Sequence, residues 1–213
     1  SRRMGKERIR IAPQKGPQAD FLACPANDIF YGGARGGGKS HGILLDFAAH
    51  AYKYGENVNG VLFRRTYPEL EDLQAKANKM YPYLGAIWRA QARTWLFPSG
   101  AAIKMRFLSN EETANNYIGH EYTWMGFDQL DSWPKQTTVD KLKANLRNPH
   151  GIQSRMVSTG NPGGVGHNWI KSRYIDPCKP RKLITNGTSQ TKCFIPATVY
   201  DNKILLESDP TYI

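Results

Sequence analysis

The chain has 213 residues, of which 40% are hydrophobic and 22% charged, a composition that supports one substantial core and excludes a disordered or low-complexity polypeptide. Its 29 Lys and Arg against 18 Asp and Glu leave a net charge of +11; that balance points to a polyanionic partner, with nucleic acid the natural candidate and a solvated basic surface the alternative. No apolar run approaches the length of a membrane span, Cys24, Cys178 and Cys193 form no C-x-x-C pair, and His41, His50, His120, His150 and His167 show no metal-ligand spacing, so a membrane protein, a disulfide scaffold and a zinc enzyme are set aside in favour of a soluble, intracellular chain.

Residues 1–25 read as a basic arm, Ser1 to Arg10, followed by a Pro-containing lead-in, and residues 26–213 as one α/β domain. Asp28 to Tyr31 reads as a short buried strand and Ser40 to Tyr54 as a helix, joined by Gly32-Gly33-Ala34-Arg35-Gly36-Gly37-Gly38-Lys39. Gly60 to Arg64 is a second strand, and Pro68 to Tyr81 a helix with Pro68 in its first turn and Leu70, Leu73 and Ala77 on one face. Trp88 to Phe97 and Ala101 to Leu108 are two extended runs about Pro98-Ser99-Gly100, read as a hairpin at the sheet edge. Tyr122 to Phe127 is a buried strand that ends at Asp128, Val139 to Leu146 a helix, and Arg155 to Thr159 a strand running into Gly160-Asn161-Pro162-Gly163-Gly164. A second basic cluster gathers Lys171, Arg173, Lys179, Arg181 and Lys182, and Asn186-Gly187-Thr188 fits the glycosylation triplet by chance. Strands alternating with helices imply a mostly parallel sheet with helices on both faces and an antiparallel edge hairpin.

Gly33 to Ser40 fit G-x-x-x-x-G-K-[ST] at every fixed position, the signature of a nucleoside triphosphate site, and the strand and helix on either side supply the context it needs. Glycines at 33, 36, 37 and 38 let the backbone curl so that its N–H groups and the helix N-terminus converge on phosphate oxygens. Lys39 is expected to reach the β- and γ-phosphates and the Ser40 hydroxyl to ligate Mg²⁺, with Ala34, Arg35 and His41 completing the nucleotide-binding stretch. Asp128, acidic at the end of an apolar strand downstream of such a loop, is the expected second Mg²⁺ carboxylate; alone it would read as a turn or cap. Ser158, Thr159, Gly160 and Asn161 lie at a strand's carboxyl end, along the crevice where open α/β sheets bind ligands, although a plain turn has the same composition.

These residues resemble the ATPase domain of the large terminase subunit, the motor that packages double-stranded DNA in tailed bacteriophages. The likeness runs through Gln18 in a Q-motif-like lead-in, Tyr31 to Ser40, Leu62-Phe63-Arg64-Arg65-Thr66, Gly126-Phe127-Asp128-Gln129-Leu130 and Ser158 to Gly163, in the family's order. The resemblance implies a RecA-like P-loop (ASCE) fold, ATP and Mg²⁺ as cofactors, and Gln18 at the adenine. It also implies Arg35 near the γ-phosphate and Ser158 to Asn161 as the motif coupling hydrolysis to movement. By the same resemblance the partners are double-stranded DNA, a portal protein and a small terminase subunit. The working form would be a homo-oligomeric ring in the host-cell cytoplasm, transiently at the procapsid portal vertex. The family's C-terminal nuclease domain has no counterpart in these residues.

Two departures stand out. Where the family has Asp-Glu this chain has Asp128-Gln129, and Gln129 is a poor proton acceptor where a water-activating carboxylate is expected; a substitution that traps ATP and a naturally non-hydrolysing subunit fit the same letters. No arginine occurs in Asn115 to His120 to act on a neighbour's nucleotide; Arg106 and Arg147 are candidates, a solvated or ion-paired arginine the alternative for either. The expectation is an ATP-driven DNA translocase domain. A helicase-type ATPase and a nucleotide-gated DNA-binding or assembly module without turnover remain the alternatives.

Overall fold

The computed structural model of the protein describes residues 11–35, 38–185 and 190–197. The basic arm Ser1 to Arg10, the loop glycines Gly36 and Gly37, and the Asn186-Gly187-Thr188 triplet lie outside them.

In chain order the elements are α1 (Pro17–Ala23), β1 (Asp28–Gly33), α2 (Lys39–Tyr54), β2 (Asn59–Arg64), α3 (Tyr67–Asn78), β3 (Ile87–Arg89), β4 (Thr94–Leu96), β5 (Ala102–Phe107), α4 (Glu111–Ala114), β6 (Trp124–Phe127), α5 (Gln136–Lys143), β7 (Arg155–Gly160), α6 (His167–Ile170) with a π-helical turn over Lys171–Ile175, β8 (Ile184–Thr185) and β9 (Thr191–Ala197). The strands form one sheet in the order β3-β4-β5-β2-β6-β7-β1-β9-β8. From β5 to β9 every neighbouring pair is parallel; β3 and β4 at one edge and β8 at the other are antiparallel.

The central strands bury both faces, which is why they read as continuous apolar runs. Ile29, Tyr31, Leu62, Trp124 and Val157 pack under α1, α2 and α3, while Phe30, Val61, Phe63, Met125, Phe127 and Met156 pack under α4, α5 and α6. Alternation along each strand sends successive side chains into these two cores.

Two buried ionic clusters pin the end of the sheet away from the phosphate loop. Arg155 holds Asp46 with Nε and Nη2 at 2.9 and 2.8 Å, and Asp46 also accepts from the Trp124 indole at 2.9 Å. Asp28 accepts from Arg173 at 3.1 Å and from the Tyr174 hydroxyl at 2.7 Å, with Lys143 at 3.4 Å. The π turn lets consecutive Arg173 and Tyr174 both face this carboxylate.

Several sequence expectations are corrected. The extended run expected from Trp88 to Phe97 is broken into β3 and β4 by a turn over Ala90 to Arg93, so the edge is a three-stranded meander; the turn has no Gly or Pro, and Arg93 itself takes φ 45° to close it. The helix expected from Pro68 to Tyr81 stops at Asn78, and Tyr81–Leu84 form a separate 3₁₀ turn in which Tyr81 is buried with its hydroxyl on the Leu44 carbonyl at 2.8 Å. α5 begins three residues earlier than expected and ends at Lys143. Arg173, read as part of the second basic cluster, is 8% exposed and ion-paired with Asp28 and Asp140. Its neighbours Lys171 and Arg181 pair with Asp176 and Asp20 on the surface.

Candidate functional site

Parallel register brings the carboxyl ends of β1, β7 and β6 side by side, because Tyr31 pairs with Thr159 and Phe127 with Ser158. Insertion of β7 between β1 and β6 sets Thr159 between the phosphate loop and Asp128. There a cleft of about 270 Å³ is lined by Gly38, Lys39, Ser40, His41, Lys76, Asp128, Gln129, Thr159, Gly160 and Asn161.

The loop leaves β1 through Gly33, whose φ of 147° suits glycine; a Cβ there would lie 2.0 Å from the Ala197 carbonyl oxygen. Ala34 donates its N–H to that same oxygen at 3.1 Å, so the end of β9 buttresses the loop. Arg35 follows on an exposed turn. Gly38 re-enters α2 with φ 72°, and the buried Lys39 side chain turns back to donate to the Ala34 carbonyl at 2.6 Å. Gln18 of α1 is 2% exposed and braces the loop, its Nε2 donating to the Gly38 carbonyl at 2.9 Å while its Oε1 accepts from the Gln14 N–H at 2.6 Å.

Asp128 is the hub. Its carboxylate is fully buried, with Oδ2 accepting from Ser40 Oγ at 3.0 Å and from Arg64 Nε at 2.6 Å, and Oδ1 accepting from Thr159 Oγ1 at 2.5 Å. Burial acts to raise its pKa, yet the Arg64 charge and the hydrogen bonds from Thr159, Arg64 and Ser40 outweigh it and hold the carboxyl below its ordinary value. Ser40 Oγ and Asp128 Oδ2 are hard oxygen donors set close together, the chemistry that suits Mg²⁺. Among the described residues no group of three or more His, Cys, Asp and Glu is placed to hold a metal.

Gln129 sits in the left-handed region, φ 58° and ψ 58°, uncommon outside glycine and held only where neighbours enforce it. Its N–H donates to Thr159 Oγ1 at 3.0 Å, and its carbonyl accepts from the Ser132 N–H at 3.0 Å and from the Ser132 hydroxyl. Thr159 therefore bridges Asp128 and the backbone of Gln129 with one hydroxyl. Asn161 donates its N–H to Asp131 Oδ1 at 3.0 Å, and its own Oδ1 is buried without a partner among the described residues. Asp131 is thereby tied under the Gly160–Gly166 turn, which also donates the Gly166 N–H to its carbonyl at 2.8 Å, and it does not line the cleft. Ser158 is buried behind Thr159.

The fold thus gathers Gly38, Lys39, Ser40, His41, Asp128, Gln129, Thr159, Gly160 and Asn161 about one cleft, with Gln18 and Arg35 on its loop side. Two residues were not singled out as site residues from sequence. Arg64, 2% exposed at the end of β2, had as its signal a cation closing an apolar strand. Lys76 of α3 had only its helical spacing. Partial desolvation of the ring pushes the His41 pKa down, the Lys76 charge adds to it, and Asp128 pulls the other way. Arg106, a candidate for the inter-subunit arginine, donates to the Arg93, Met105 and Ala92 carbonyls at 2.9, 3.0 and 2.8 Å and so closes the meander turn; Arg147 pairs with Glu121 across 3.9 Å on the surface.

Residues 30–205 match the family described as terminase large subunit, T4likevirus-type, N-terminal. No curated protein matches the chain. Among solved structures it is similar to the large terminase of a thermophilic bacteriophage, with 19% identity, a TM-score of 0.70, and coverage of 93% of this chain and 50% of that one. That protein has also been solved in complex with ADP and with ATP-gamma-S. The large terminase ATPase domain of Thermus phage P74-26 matches with 14% identity, a TM-score of 0.65, and coverage of 96% of this chain and 94% of that one. The chain in the bacteriophage Phi-29 genome packaging motor assembly matches with 15% identity, a TM-score of 0.59, and coverage of 91% and 60%. At these identities the likeness is one of fold, and this chain spans about half the length of the thermophilic phage's terminase.

Proposed function

The chain belongs to the T4likevirus-type terminase large subunit N-terminal family, and on that premise we propose that residues 26–213 form an ATP-binding motor domain that couples hydrolysis to translocation of double-stranded DNA into a procapsid. The observation that supports this best is the convergence of Lys39, Ser40, Asp128 and Thr159 on one cleft at the carboxyl ends of parallel strands, where a triphosphate meets the loop and the α2 N-terminus.

In this reading Lys39 Nζ, now on the Ala34 carbonyl, would turn to the β- and γ-phosphates, Arg35 would face the γ-phosphate from the exposed turn, and Gln18 would fix the loop on the adenine side. Ser40 and Asp128 would hold Mg²⁺, which when bound neutralises charge on the phosphate oxygens. Gln129 presents its amide to the attacking water but cannot take its proton, which withholds roughly 10²–10⁴-fold of general-base catalysis. Thr159, bonded to both Asp128 and Gln129, and Asn161, bonded to Asp131, would carry the loss of the γ-phosphate into the turn at 160–166. Lys76 is a cation on the cleft's rim.

The partners that follow are double-stranded DNA, other copies of the chain in a ring, a portal protein and a small terminase subunit, met in the host cytoplasm and at the portal vertex. A phosphate-release assay with and without DNA tests the reading: DNA-stimulated turnover, low here and raised in Gln129→Glu, supports it. Binding of ATP with no turnover in either form would favour a nucleotide-gated assembly module, a reading that Gln129 itself favours over an efficient hydrolase.

A further inference from the structure

Asp128 already has a cation. Arg64, from the last position of β2, reaches Asp128 Oδ2 with Nε and with Nη2, both at 2.6 Å, and Nη2 stands 3.5 Å from Ser40 Oγ. Its side chain is 2% exposed and that of Asp128 1%, so water screens the pair very little. The guanidinium therefore sits on the oxygen that faces Ser40, beside the two donors that fit Mg²⁺. A divalent ion entering there meets a full positive charge and a carboxylate already neutralised, and like charges at such range repel strongly in a low-dielectric site.

Arg64 is also mechanically connected. Its carbonyl accepts from the Leu108 N–H at 2.8 Å, and Arg65, the next residue, donates to the Ser132 carbonyl at 2.7 Å, three residues beyond Gln129. Thr66 then caps α3, the helix that carries Lys76 to the cleft.

We propose that Arg64 is the internal counter-ion of Asp128 and that the metal accompanying the nucleotide binds in competition with it, so that Arg64 sets how much Mg²⁺ the site requires. The inference rests on the nucleotide-site reading above. Arg64 is in this sense a positioning residue: it touches Asp128 and Ser40, and its effect on nucleotide passes through them.

The test is the Mg²⁺ dependence of binding, not turnover. Calorimetric titration with the non-hydrolysable analogue AMP-PNP, repeated across a Mg²⁺ series, gives the Mg²⁺ concentration for half-maximal affinity. Arg64→Gln, which removes the charge, should lower that concentration by about tenfold or more, whereas Arg64→Lys, which keeps a charge, should leave it within about threefold of the parent. An unchanged requirement in Arg64→Gln overturns the proposal, even if that variant melts earlier, since lost packing lowers stability without changing metal demand. Should Arg64→Gln fail to fold, the unmutated chain labelled with ¹⁵N-arginine decides. The Arg64 Nε–H signal should shift on adding AMP-PNP with Mg²⁺ but not with AMP-PNP in the presence of a chelator, and a signal that ignores Mg²⁺ overturns the idea. A parent chain that binds no AMP-PNP at saturating Mg²⁺ overturns the nucleotide-site reading itself, a result distinct from binding with an Arg64-independent metal requirement.

Discussion

Replacing Thr159 by Val removes one oxygen and breaks two hydrogen bonds, one to the buried Asp128 carboxylate and one from the N–H of the half-buried Gln129. The hydroxyl donates to Asp128 Oδ1 at 2.5 Å and accepts the Gln129 N–H at 3.0 Å, and Thr159 is 1% exposed. Valine matches the shape, so no cavity opens and the loss is almost wholly polar. A hydrogen bond to an ionised carboxylate contributes about 1.5–3 kcal/mol, and the half-buried Gln129 N–H, once unpaired, falls at or below the low end of the about 1–3 kcal/mol that a fully buried unsatisfied amide costs. Part of the first is recovered, because Arg64 and Ser40 still hold Asp128. The net expectation is about 2–4 kcal/mol, which for a domain of this size lowers Tm by roughly 5–15 °C. Thr159→Ser keeps the hydroxyl and gives up one methyl, worth about 0.8 kcal/mol. Thermal and urea unfolding followed by circular dichroism compare the three proteins. If Val is no more destabilising than Ser, the hydroxyl is not bridging Asp128 and Gln129, and the physical link between β7 and the acidic strand is refuted.

Lys39→Ala should abolish or severely weaken AMP-PNP binding in calorimetry, since no other ammonium among the described residues stands within the phosphate loop; unchanged affinity would remove the nucleotide site. Gln129→Glu should raise the ATPase rate by at least about an order of magnitude with little change in ATP affinity, and equal steady-state rates in the two proteins would show that this position does not activate water. His50, buried against Thr123 with Nε2 3.2 Å from its hydroxyl, is pushed down from 6.5 to about 4 by burial, with Asp46 opposing and Arg155 and Lys53 assisting. The unfolded chain therefore takes up a proton that the folded one refuses, so stability falls as pH drops from 6.5 towards about 4, by about 3 kcal/mol at most on the usual conversion. Urea unfolding of the parent and His50→Gln over that range should show a steeper fall in the parent, and parallel curves would contradict it.

Much of the architecture was legible because it is local. Apolar runs at Asp28 to Tyr31, Gly60 to Arg64 and Tyr122 to Phe127 declare strands whatever surrounds them, and the spacing of Leu70, Leu73 and Ala77 declares a helical face. The phosphate loop is more local still: its glycines, Lys39 and Ser40 follow one another in the chain, so the pattern and its chemistry are read together. Signals were missing where the chain does something its residue types do not advertise. Arg93 and Gln129 adopt positive φ without being glycine, the first closing an edge turn and the second held by Thr159 as well as by nearby Ser132, so neighbours distant in sequence help to make those conformations stable.

What the sequence by itself determined is the class of sheet, the loop that suits a triphosphate and the residues able to supply oxygen donors and cations. Apart from the edge hairpin about Pro98-Ser99-Gly100, which strands are neighbours was decided by tertiary structure. Pairing of β1 with β7 and of β7 with β6 brings Thr159 to Asp128 across 31 positions of sequence, and pairing of β2 with β6 brings Arg64 to the same carboxylate across 64. β9, read as no element beforehand, closes against Gly33. The two roles offered by one arginine, solvated surface cation or buried counter-ion, differ only in what lies within a few ångströms of its guanidinium. That distance follows from strand order and register, which depend on long-range packing and leave no periodic trace in a single sequence.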